Sequence, residues 1–553
     1  MRSLPLESAE LDPRDVDAWA MHGRRRIVDP VAYREHLGAG SLPEAFASAA
    51  RRRPAALAIS VGEVSVTHGE LDVMAGRAAA CLAALGISAG SRVMLLADVG
   101  VEEIAAYLGV LRLGATVVLV NPTLTSSEMR PMAIGGQAEV IVGSGSGLAT
   151  ALDTNPPGLK DALGLREPDR EAVPRLLHDL TDTKRPPQAV ASEAVAVLAF
   201  TSGTTGLPKP TPLSHRNLLA SVRAVMSAWR WTEGDHLVHS LPISHQHGLS
   251  GVHATLLAGS RATLLGRFDP ETTIRAVESG ASIHFGVPAI HQRLLDSLGE
   301  RARNLGGLRL AVSGSGRLPI ELAVRYRAET GQSLLERYGT TESGLNVSNP
   351  YEGDRIAGRV GIPLPGVEVA LAGESGTSVD EGDTGEILVR GPQVFSGYLG
   401  VTKAEQPFTG AWFRTGDLGS RDPETGYLRI VGRTKEVIIT GGMNVYPREV
   451  EDVLRRHPGV TDAVVIGVAS ERWGEEVVAV VAPATLDHQG LARLSAEHLA
   501  PYKRPKRLVV VDEIPRDSVG KTRREALLQL IPPDGAGMPL DGIGSRSSPD
   551  SIA

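Results

Sequence analysis

The stretch 201–209, Thr-Ser-Gly-Thr-Thr-Gly-Leu-Pro-Lys, constrains the fold more than any other part of the chain. It follows an apolar run at 194–200, which predicts a buried strand that ends in a turn. Its glycines let backbone N–H groups converge, and its hydroxyls and lysine add donors and positive charge, so the loop suits a polyphosphate. The glycine spacing differs from that of the P-loop of NTPases. The residues that we predict to contact phosphate are Thr201, Ser202, Gly203, Thr204, Thr205, Gly206 and Lys209.

The chain around this loop alternates between helical and extended patterns. A helical period of alanine and leucine stops at Gly86, a suitable residue to end a helix. Buried strands are predicted at 92–96, 116–120, 236–241, 283–287 and 308–312. Such alternation predicts parallel sheets covered by helices, with ligand groups in the turns at the carboxyl ends of the strands.

We therefore predict an α/β protein with several parts. Residues 1–40 form a polar leader, and 41–433 form a large N-terminal domain of helix-covered parallel sheets, in which 360–432 is a β-rich subdomain. Residues 434–530 form a small, mobile α+β domain, and the Gly/Pro/Ser-rich segment 531–553 is a disordered tail. The stretch 144–192 lacks periodicity and is predicted to be a loose surface insertion.

Bulk composition limits the class of protein. The 553 residues are too many for one core, and 42% hydrophobic and 22% charged residues are typical of a soluble globular protein. A net charge of -7 with interspersed signs indicates neither a nucleic-acid nor a membrane partner, and the single cysteine, Cys81, excludes an internal disulfide. Residues 1–17 lack the apolar segment of a signal peptide. We expect a cytoplasmic enzyme, monomeric or homodimeric.

Further polar motifs follow the loop. They are Ser-Gly-Ser at 313–315, Glu-Arg-Tyr-Gly-Thr-Thr-Glu at 336–342, Phe-Arg-Thr-Gly-Asp-Leu at 413–418, Gly-Arg-Thr-Lys-Glu at 432–436 and Arg-Asp-Ser-Val-Gly-Lys at 516–521. Glu342 beside hydroxyl groups suits Mg²⁺, which prefers oxygen ligands and usually takes some of them from bound phosphates. The carboxylate of Asp417 suits a pair of hydroxyl donors. In this order the motifs resemble those of the adenylate-forming superfamily, which includes acyl-CoA synthetases, luciferases and peptide-synthetase adenylation domains.

The resemblance covers roughly 195–525 and implies a role for each motif. It places adenine between Tyr338 and the segment with Gly314 and Ser315, and the α-phosphate at Thr341, in the motif that also holds Gly339 and Thr340. It assigns Mg²⁺ to Glu342 and the ribose to Asp417, with Arg433 nearby. On the C-terminal side it makes Lys435 the hinge, places Gly441 and Gly442 along the pantetheine of CoA, and sets Lys521 against the reacting carboxylate.

The mechanism that the resemblance implies needs no protein nucleophile. The carboxylate of an acid attacks the α-phosphate of ATP, pyrophosphate leaves, and the thiol of CoA then attacks the mixed anhydride. Lys209, Lys521 and Mg²⁺ stabilise the charge in transit. Rotation of the C-terminal domain about the hinge separates the two half-reactions.

The acid is expected to bind between the phosphate loop and the nucleotide motif. There we predict that His245 meets the activated acid and that His247 and Ser244 line the pocket. Arg293 is either a surface cation or a bidentate partner for a second carboxylate. The motifs His-x-His-Gly-Leu at 245–249, Gly-Arg-Phe at 266–268 and Asn346–Gly353 resemble malonyl- and methylmalonyl-CoA synthetases, which favours a small dicarboxylate.

Three departures from the family pattern keep other acids and acceptors open. Pro210 follows Lys209 where glycine is usual, Ser244 replaces an aromatic residue, and Gly316-Arg317 replaces Ala-Pro. One alternative is a fatty or aromatic acyl-CoA ligase, which an apolar pocket with Arg293 in solvent would favour. Another is an adenylating enzyme with a different acceptor, such as an ATP-dependent diazotase that activates nitrite for an aryl amine.

Overall fold

A computed structural model describes residues 11–23, 27–166, 184–202, 208–373, 376–470, 473–483, 485, 487–516, 522–531 and 538–539. The helices within these ranges are α1 Pro13–Gly23, α2 Pro30–Gly38, α3 Leu42–Arg52, α4 His68–Ala84, α5 Val101–Arg112, α6 Ser126–Gly136, α7 Gly145–Leu152, α8 His215–Ala228, α9 Gln246–Ala258, α10 Pro270–Glu278, α11 Pro288–Leu298, α12 Ile320–Thr330, α13 Pro447–Arg455, α14 His488–His498 and α15 Arg524–Leu530. None of these helices is long and apolar enough to cross a membrane.

The strands of the same ranges are β1 Leu57–Val61, β2 Val64–Thr67, β3 Arg92–Leu96, β4 Thr116–Val120, β5 Val140–Gly143, β6 Asp161–Gly164, β7 Val195–Ser202, β8 Pro208–Ser214, β9 His236–His239, β10 Arg261–Leu264, β11 Ile283–Gly286, β12 Leu310–Ser313, β13 Leu335–Thr340, β14 Gly344–Ser348, β15 Ile362–Pro363, β16 Glu368–Ala372, β17 Thr384–Arg390, β18 Phe408–Thr409, β19 Trp412–Arg421, β20 Leu428–Arg433, β21 Ile438–Thr440, β22 Met443–Val445, β23 Val460–Ser470, β24 Gly474–Pro483, β25 Arg507–Val510 and β26 Met538–Pro539.

The described chain forms two compact units. The first holds Met1–Ala370, Leu388–Thr415 and Glu424–Leu428, and the second holds Leu371–Ile387, Gly416–Pro423 and Arg429–Ala553. The domain boundary at 433 and the mobility of the C-terminal part stay predictions.

Two mostly parallel sheets form the core of the first unit. A nine-stranded sheet has the order β15-β14-β13-β12-β11-β9-β10-β1-β2, and a six-stranded sheet has the order β6-β5-β3-β4-β7-β8. The neighbours from β1 to β13 in the first sheet pair in parallel, as do those from β6 to β7 in the second. The predicted helix-covered parallel sheets are confirmed, because strands such as β4 and β11 are buried on both faces.

The polar leader contains two helices that the sequence patterns missed. Trp19 on α1 is 1% exposed, and its indole N–H donates to the Val367 carbonyl at 2.7 Å. Asp15, equally buried, accepts from the Val369 backbone N–H at 3.0 Å. Arg34 on α2 forms an ion pair with buried Glu368 at 2.6 Å. Residues 11–23 and 27–40 therefore belong to the first unit.

The predicted loose insertion at 144–192 is wrong for its first part. Residues 145–152 form α7, with Leu148 and Ala151 buried, and 161–164 form β6 at the edge of the six-stranded sheet. Small residues and glycine weaken the helical hydrophobic period of this segment, so the sequence did not predict a helix. Apolar packing against the six-stranded sheet holds the helix in place.

The remaining strands form the β-rich subdomain and the C-terminal domain. Strands β16 to β20 make a five-stranded sheet, which confirms a β-rich subdomain, while its bounds at 360–432 stay a prediction. In the second unit, β21 to β26 make a six-stranded sheet, and its core includes Val450 and Leu454 on α13 and Ala479 on β24. Most of the predicted disordered tail lies outside the described residues, and its residues Met538–Pro539 pair with β25.

Candidate active site

The two ends of the phosphate loop lie on adjacent antiparallel strands. Thr201 on β7 is the register partner of Lys209 on β8. The prolines at 210 and 212 lie on β8, the edge strand of its sheet, where a missing N–H donor is tolerated. The predicted loop residues Gly203, Thr204, Thr205 and Gly206 lie outside the described part of the chain, as does the side chain of Ser202.

Lys209 and Glu342 are joined through a residue that sequence analysis missed, Tyr398. Its hydroxyl donates to Glu342 Oε1 at 2.7 Å, and Thr201 also hydrogen-bonds to it. The Lys209 ammonium nitrogen lies 5.2 Å from the centre of the tyrosine ring. Burial and the neighbouring carboxylate raise the pKa of Tyr398, so it remains a neutral donor. A single tyrosine in a glycine-flanked loop carries no sequence signal for this contact.

Glu342 lies in the turn between β13 and β14 and is 8% exposed. Its backbone carbonyl accepts from the Phe395 N–H at 2.8 Å, which fixes the loop of Tyr398 against the turn. The described residues contain no cluster of three His, Cys, Asp or Glu side chains able to hold a metal ion. One carboxylate among hydroxyl groups fits Mg²⁺ that takes its other ligands from phosphates and water, and Glu342 would hold it.

The predicted adenine residues come from neighbouring parallel strands. Tyr338 lies on β13, while Gly314 and Ser315 directly follow β12, its partner in the sheet. Ser315 has φ +63°, a left-handed conformation that costs free energy for a residue with a side chain and is common at functional sites. Its hydroxyl lies 3.3 Å from His247 Nδ1, so the adenine segment and the predicted acid pocket are adjacent.

The two histidines at 245 and 247 begin helix α9. His245 caps it, since its Nδ1 accepts the His247 backbone N–H at 3.2 Å, which places the ring proton on Nε2. Ser244 is half-buried in the same turn, whereas His247 is 3% exposed. Burial, and then the charge of Arg337, hold the pKa of His247 well below 6.5, so its ring is neutral.

Other buried histidines lie near His247 or near its neighbours. His239 ends β9, His284 lies on β11, and His291 lies on α11. Burial lowers the pKa of His239 and of His291 to about 4 and keeps that of His284 well below 6.5. The rings of His239 and His247 lie 6.3 and 5.2 Å from the ring of Phe285. We call these buried side chains near His247 the polar wall. It is mostly uncharged, which the sequence patterns did not reveal.

The two arginines of this region are placed differently. Arg293 is exposed on α11, and its guanidinium stacks on the ring of Phe268 at 4.8 Å. Arg337 on β13 is 7% exposed, and burial lowers its pKa to about 9, which still leaves it charged at neutral pH. The sequence patterns pointed to Arg293 and not to Arg337, because no local pattern at either position indicates burial.

The second unit contains the predicted ribose and hinge residues. Asp417 on β19 is 4% exposed, and Arg433 Nε donates to its Oδ1 at 2.9 Å, so the two residues predicted for the ribose side are in contact. Lys435 lies in an exposed turn at Thr434–Glu436, and the next residue, Glu436, pairs with Arg524 at 3.1 Å.

Gly441 and Gly442 form the turn between β21 and β22. Both have positive φ, +57° and +78°, which favours glycine. A side chain at Gly441 would also lie 3.3 Å from the ring of Trp473. Lys521 lies outside the described residues.

Comparison with known proteins identifies the class. Residues 46–399 match the AMP-binding enzyme family, and 449–521 match the AMP-binding enzyme C-terminal domain. The first match covers more than half of the chain, which therefore belongs to the AMP-binding enzymes. It is an AMP-forming acid–thiol ligase of the acyl-CoA synthetase type that uses ATP and CoA.

Among individual proteins, the chain is similar to the mitochondrial malonate–CoA ligase of Mus musculus, at 37% identity over 62% of this chain and 65% of that protein. It is 32% identical to the indoleacetate–CoA ligase of Aromatoleum aromaticum over 86% of this chain and 96% of that protein. Among solved structures, the ATP-bound MatB from Rhodopseudomonas palustris is 35% identical, with 88% and 98% of the two chains covered and a TM-score of 0.80.

Proposed function

We propose that this enzyme joins a small dicarboxylic acid, malonate or methylmalonate, to CoA. The observation that carries the proposal is the chemistry of the buried wall around His247. Histidines at 239, 284 and 291 and the cation of Arg337 are buried, and each has a side-chain nitrogen without a partner in the described chain. An apolar acyl chain among them would leave these atoms unpaired. The likeness to the mouse malonate–CoA ligase supports the same acid.

In the proposed reaction, the substrate carboxylate attacks the α-phosphate of ATP, and the bond to pyrophosphate breaks. Lys209 and Lys521 neutralise the charge that moves onto the phosphates, and bound Mg²⁺ would polarise the same phosphates. The thiol of CoA then attacks the carbonyl carbon, AMP leaves, and the thiol proton passes to solvent. We assign His245, whose ring proton is on Nε2, to hydrogen-bond the activated acid.

The proposed binding roles follow the motifs. Tyr338, Gly314, Ser315, Gly339, Thr340 and Thr341 hold the nucleotide with the loop 201–206, and Asp417 and Arg433 hold the ribose. The turn at Gly441-Gly442 lines the path of the pantetheine of CoA. Lys435 is the hinge for domain rotation, and the proposed location of the enzyme is the cytoplasm. These assignments rest on the motifs and on the geometry within each unit.

An aromatic acid is the second candidate, and two observations favour it. Arg293 is in solvent, as expected for a ligase of fatty or aromatic acids, and the indoleacetate–CoA ligase is similar over most of both chains. The polar wall weighs against this candidate.

Pyrophosphate release tests the proposal, measured with ATP and Mg²⁺ over a panel of acids, with and without CoA, and with products identified by mass. The panel contains malonate, methylmalonate, fatty acids, cinnamates, benzoates, indoleacetate, and nitrite with an aryl amine. We expect a CoA thioester of malonate or methylmalonate. Preference for a monocarboxylic acid would reject the proposed acid, and turnover that ignores CoA would point to another acceptor.

A further inference from the structure

The loop that carries Tyr398 is tied to the rest of the first unit at several points. It runs between strands β17 and β18 and lies outside both of them. The Leu399 backbone N–H donates to the carbonyl of Pro210, the residue after Lys209, at 3.1 Å. The ring of Phe395 packs against that of Tyr398, with 5.0 Å between the ring centres. A loop restrained in this way keeps the tyrosine hydroxyl near its carboxylate partner, whereas a free loop would lose conformational entropy on making that contact.

The most direct restraint on Tyr398 is the side-chain amide of Gln406. Its Oε1 accepts the Tyr398 backbone N–H at 2.7 Å, and its Nε2 donates to the Tyr398 carbonyl at 2.8 Å and to the Val401 carbonyl at 3.0 Å. The amide therefore pairs with both polar backbone groups of residue 398, as a neighbouring β-strand would. The opposite orientation of the amide would set its oxygen against two carbonyls, so these contacts determine which end is the donor.

The backbone before Tyr398 leaves room for this amide. Gly397 has φ +127°, a conformation that favours glycine. A Cβ added at Gly397 would lie 2.7 Å from Gln406 Oε1 and would displace the amide. Gln406 is itself half-buried, so water competes less for its hydrogen bonds than at an exposed position. Glycine at 397 and glutamine at 406 therefore hold one conformation of residue 398.

We infer that Gln406 is a positioning residue for adenylation, because it fixes Tyr398, which in turn orients the Glu342 carboxylate toward Mg²⁺ and ATP. The inference rests on the proposed role of Glu342 as the metal ligand. The hydrogen bonds of Gln406 within the described chain go to residues 398 and 401, so its effect on Glu342 passes through the tyrosine. Gln406 belongs to none of the motifs from which the sequence predicted the site.

A double-mutant cycle tests whether Gln406 acts through Tyr398. The full chain is titrated with ATP by calorimetry at several Mg²⁺ concentrations, without turnover. Gln406→Met keeps the length of the side chain and removes its hydrogen bonds. We expect it to raise the Mg²⁺ concentration that half-saturates ATP binding by about tenfold, because the loop no longer holds the tyrosine hydroxyl on Glu342. In the Tyr398→Phe background, the same substitution should change that concentration by less than about twofold.

Hydrogen exchange of the ligand-free protein, followed by mass spectrometry on the loop peptide, gives a second readout. The Tyr398 amide donates to Gln406 Oε1 and should exchange about tenfold faster in Gln406→Met. Gln332→Met is the matched control, since the Gln332 amide also donates to two backbone carbonyls, those of Gly306 and Leu308. It should alter neither readout. Gln406→Glu sets an acceptor against the same carbonyls as the native amide donor, should act like Gln406→Met, and replaces it if that variant does not fold.

Equal effects of Gln406→Met with and without the tyrosine hydroxyl would overturn the inference, as would an unchanged Mg²⁺ dependence together with unchanged exchange. Glu342→Gln separates these failures from a failure of the proposed function. If Glu342→Gln binds ATP with the Mg²⁺ dependence of the wild type, the proposed metal ligand is rejected, and the role of Gln406 is rejected with it.

Discussion

A phenol hydroxyl at position 398 orients the carboxylate of Glu342. It donates to Oε1 at 2.7 Å, which leaves Oε2 as the oxygen available to a metal–nucleotide complex. The ring of Tyr398 also lies 5.2 Å from the Lys209 ammonium nitrogen. Tyr398 therefore contacts both the predicted metal ligand and the predicted phosphate-binding lysine.

Replacing Tyr398 by Phe should weaken the binding of Mg²⁺ with ATP. A hydrogen bond to a charged acceptor contributes about 1.5–3 kcal/mol, so the Mg²⁺ concentration that half-saturates ATP binding should rise by about tenfold to 100-fold. Calorimetric titration of ATP at several Mg²⁺ concentrations measures this without turnover. Tyr427→Phe, which loses a hydroxyl bonded to the Asp354 carbonyl, is the control and should not alter the Mg²⁺ dependence. Tighter Mg²⁺ binding in Tyr398→Phe would mean that the tyrosine competes with the metal.

At the scale of elements, helix α1 shows how an inconspicuous segment becomes part of a core. Its buried face includes the polar residues Asp15 and His22, yet Trp19 on the same face is 1% exposed and its indole N–H donates to the Val367 carbonyl. A buried aromatic side chain with its N–H satisfied, together with the Asp15 bond to the Val369 N–H, holds this short helix on the first unit. Periodicity alone did not reveal it, because the buried face is narrow.

Trp19→Ala should destabilise the first unit by about 3–5 kcal/mol, the usual cost of removing a large buried aromatic side chain. Urea unfolding followed by circular dichroism measures the change. Met21→Ala on the same helix is the control, since Met21 is 54% exposed and its replacement should cost no more than about 0.5 kcal/mol. Equal effects of the two variants would show that α1 does not anchor the unit.

The strands that position the site were largely predictable from the sequence, whereas the pairing between these strands was not. Strands at 92–96 and 116–120 match β3 and β4, and 283–287 matches β11 to within a residue, because runs of branched apolar residues define buried strands locally. The register that sets Ser313 beside Glu336 depends on long-range pairing. Sequence patterns therefore located the motifs without showing which side chains between them face one another.

At the scale of the whole molecule, buried histidines make stability depend on pH. Burial lowers the pKa of His22, His215, His236, His239 and His291 to about 4, and that of His253 to about 3. Each is neutral in the folded chain, while the unfolded chain takes up protons below a pKa near 6.5. The unfolded state binds more protons as pH falls, so stability is lost between about pH 6.5 and the folded-state values.

His253→Gln should reduce this pH dependence. Each buried histidine contributes a slope of up to about 1.4 kcal/mol per pH unit, so the fall in unfolding free energy from pH 6.5 to 5 should be shallower by about that amount per unit in the variant. Urea unfolding at intervals across this range measures the slope above the pH at which most carboxylates titrate. His36→Gln, at an exposed position on α2, is the control. An unchanged slope in His253→Gln would contradict the prediction.

The sequence by itself located the buried strands around the phosphate loop, and the resemblance of its motifs to the adenylate-forming superfamily indicated the class of reaction. The strands could be located because their requirements are local, such as glycine where backbone amides converge and an apolar run where a strand is buried. Only the tertiary structure decided that Arg337 is buried while Arg293 is exposed, and that Tyr398 reaches Glu342 across 56 residues of chain. Burial and hydrogen-bond partners depend on which distant strands and loops pack together, and no local pattern encodes that.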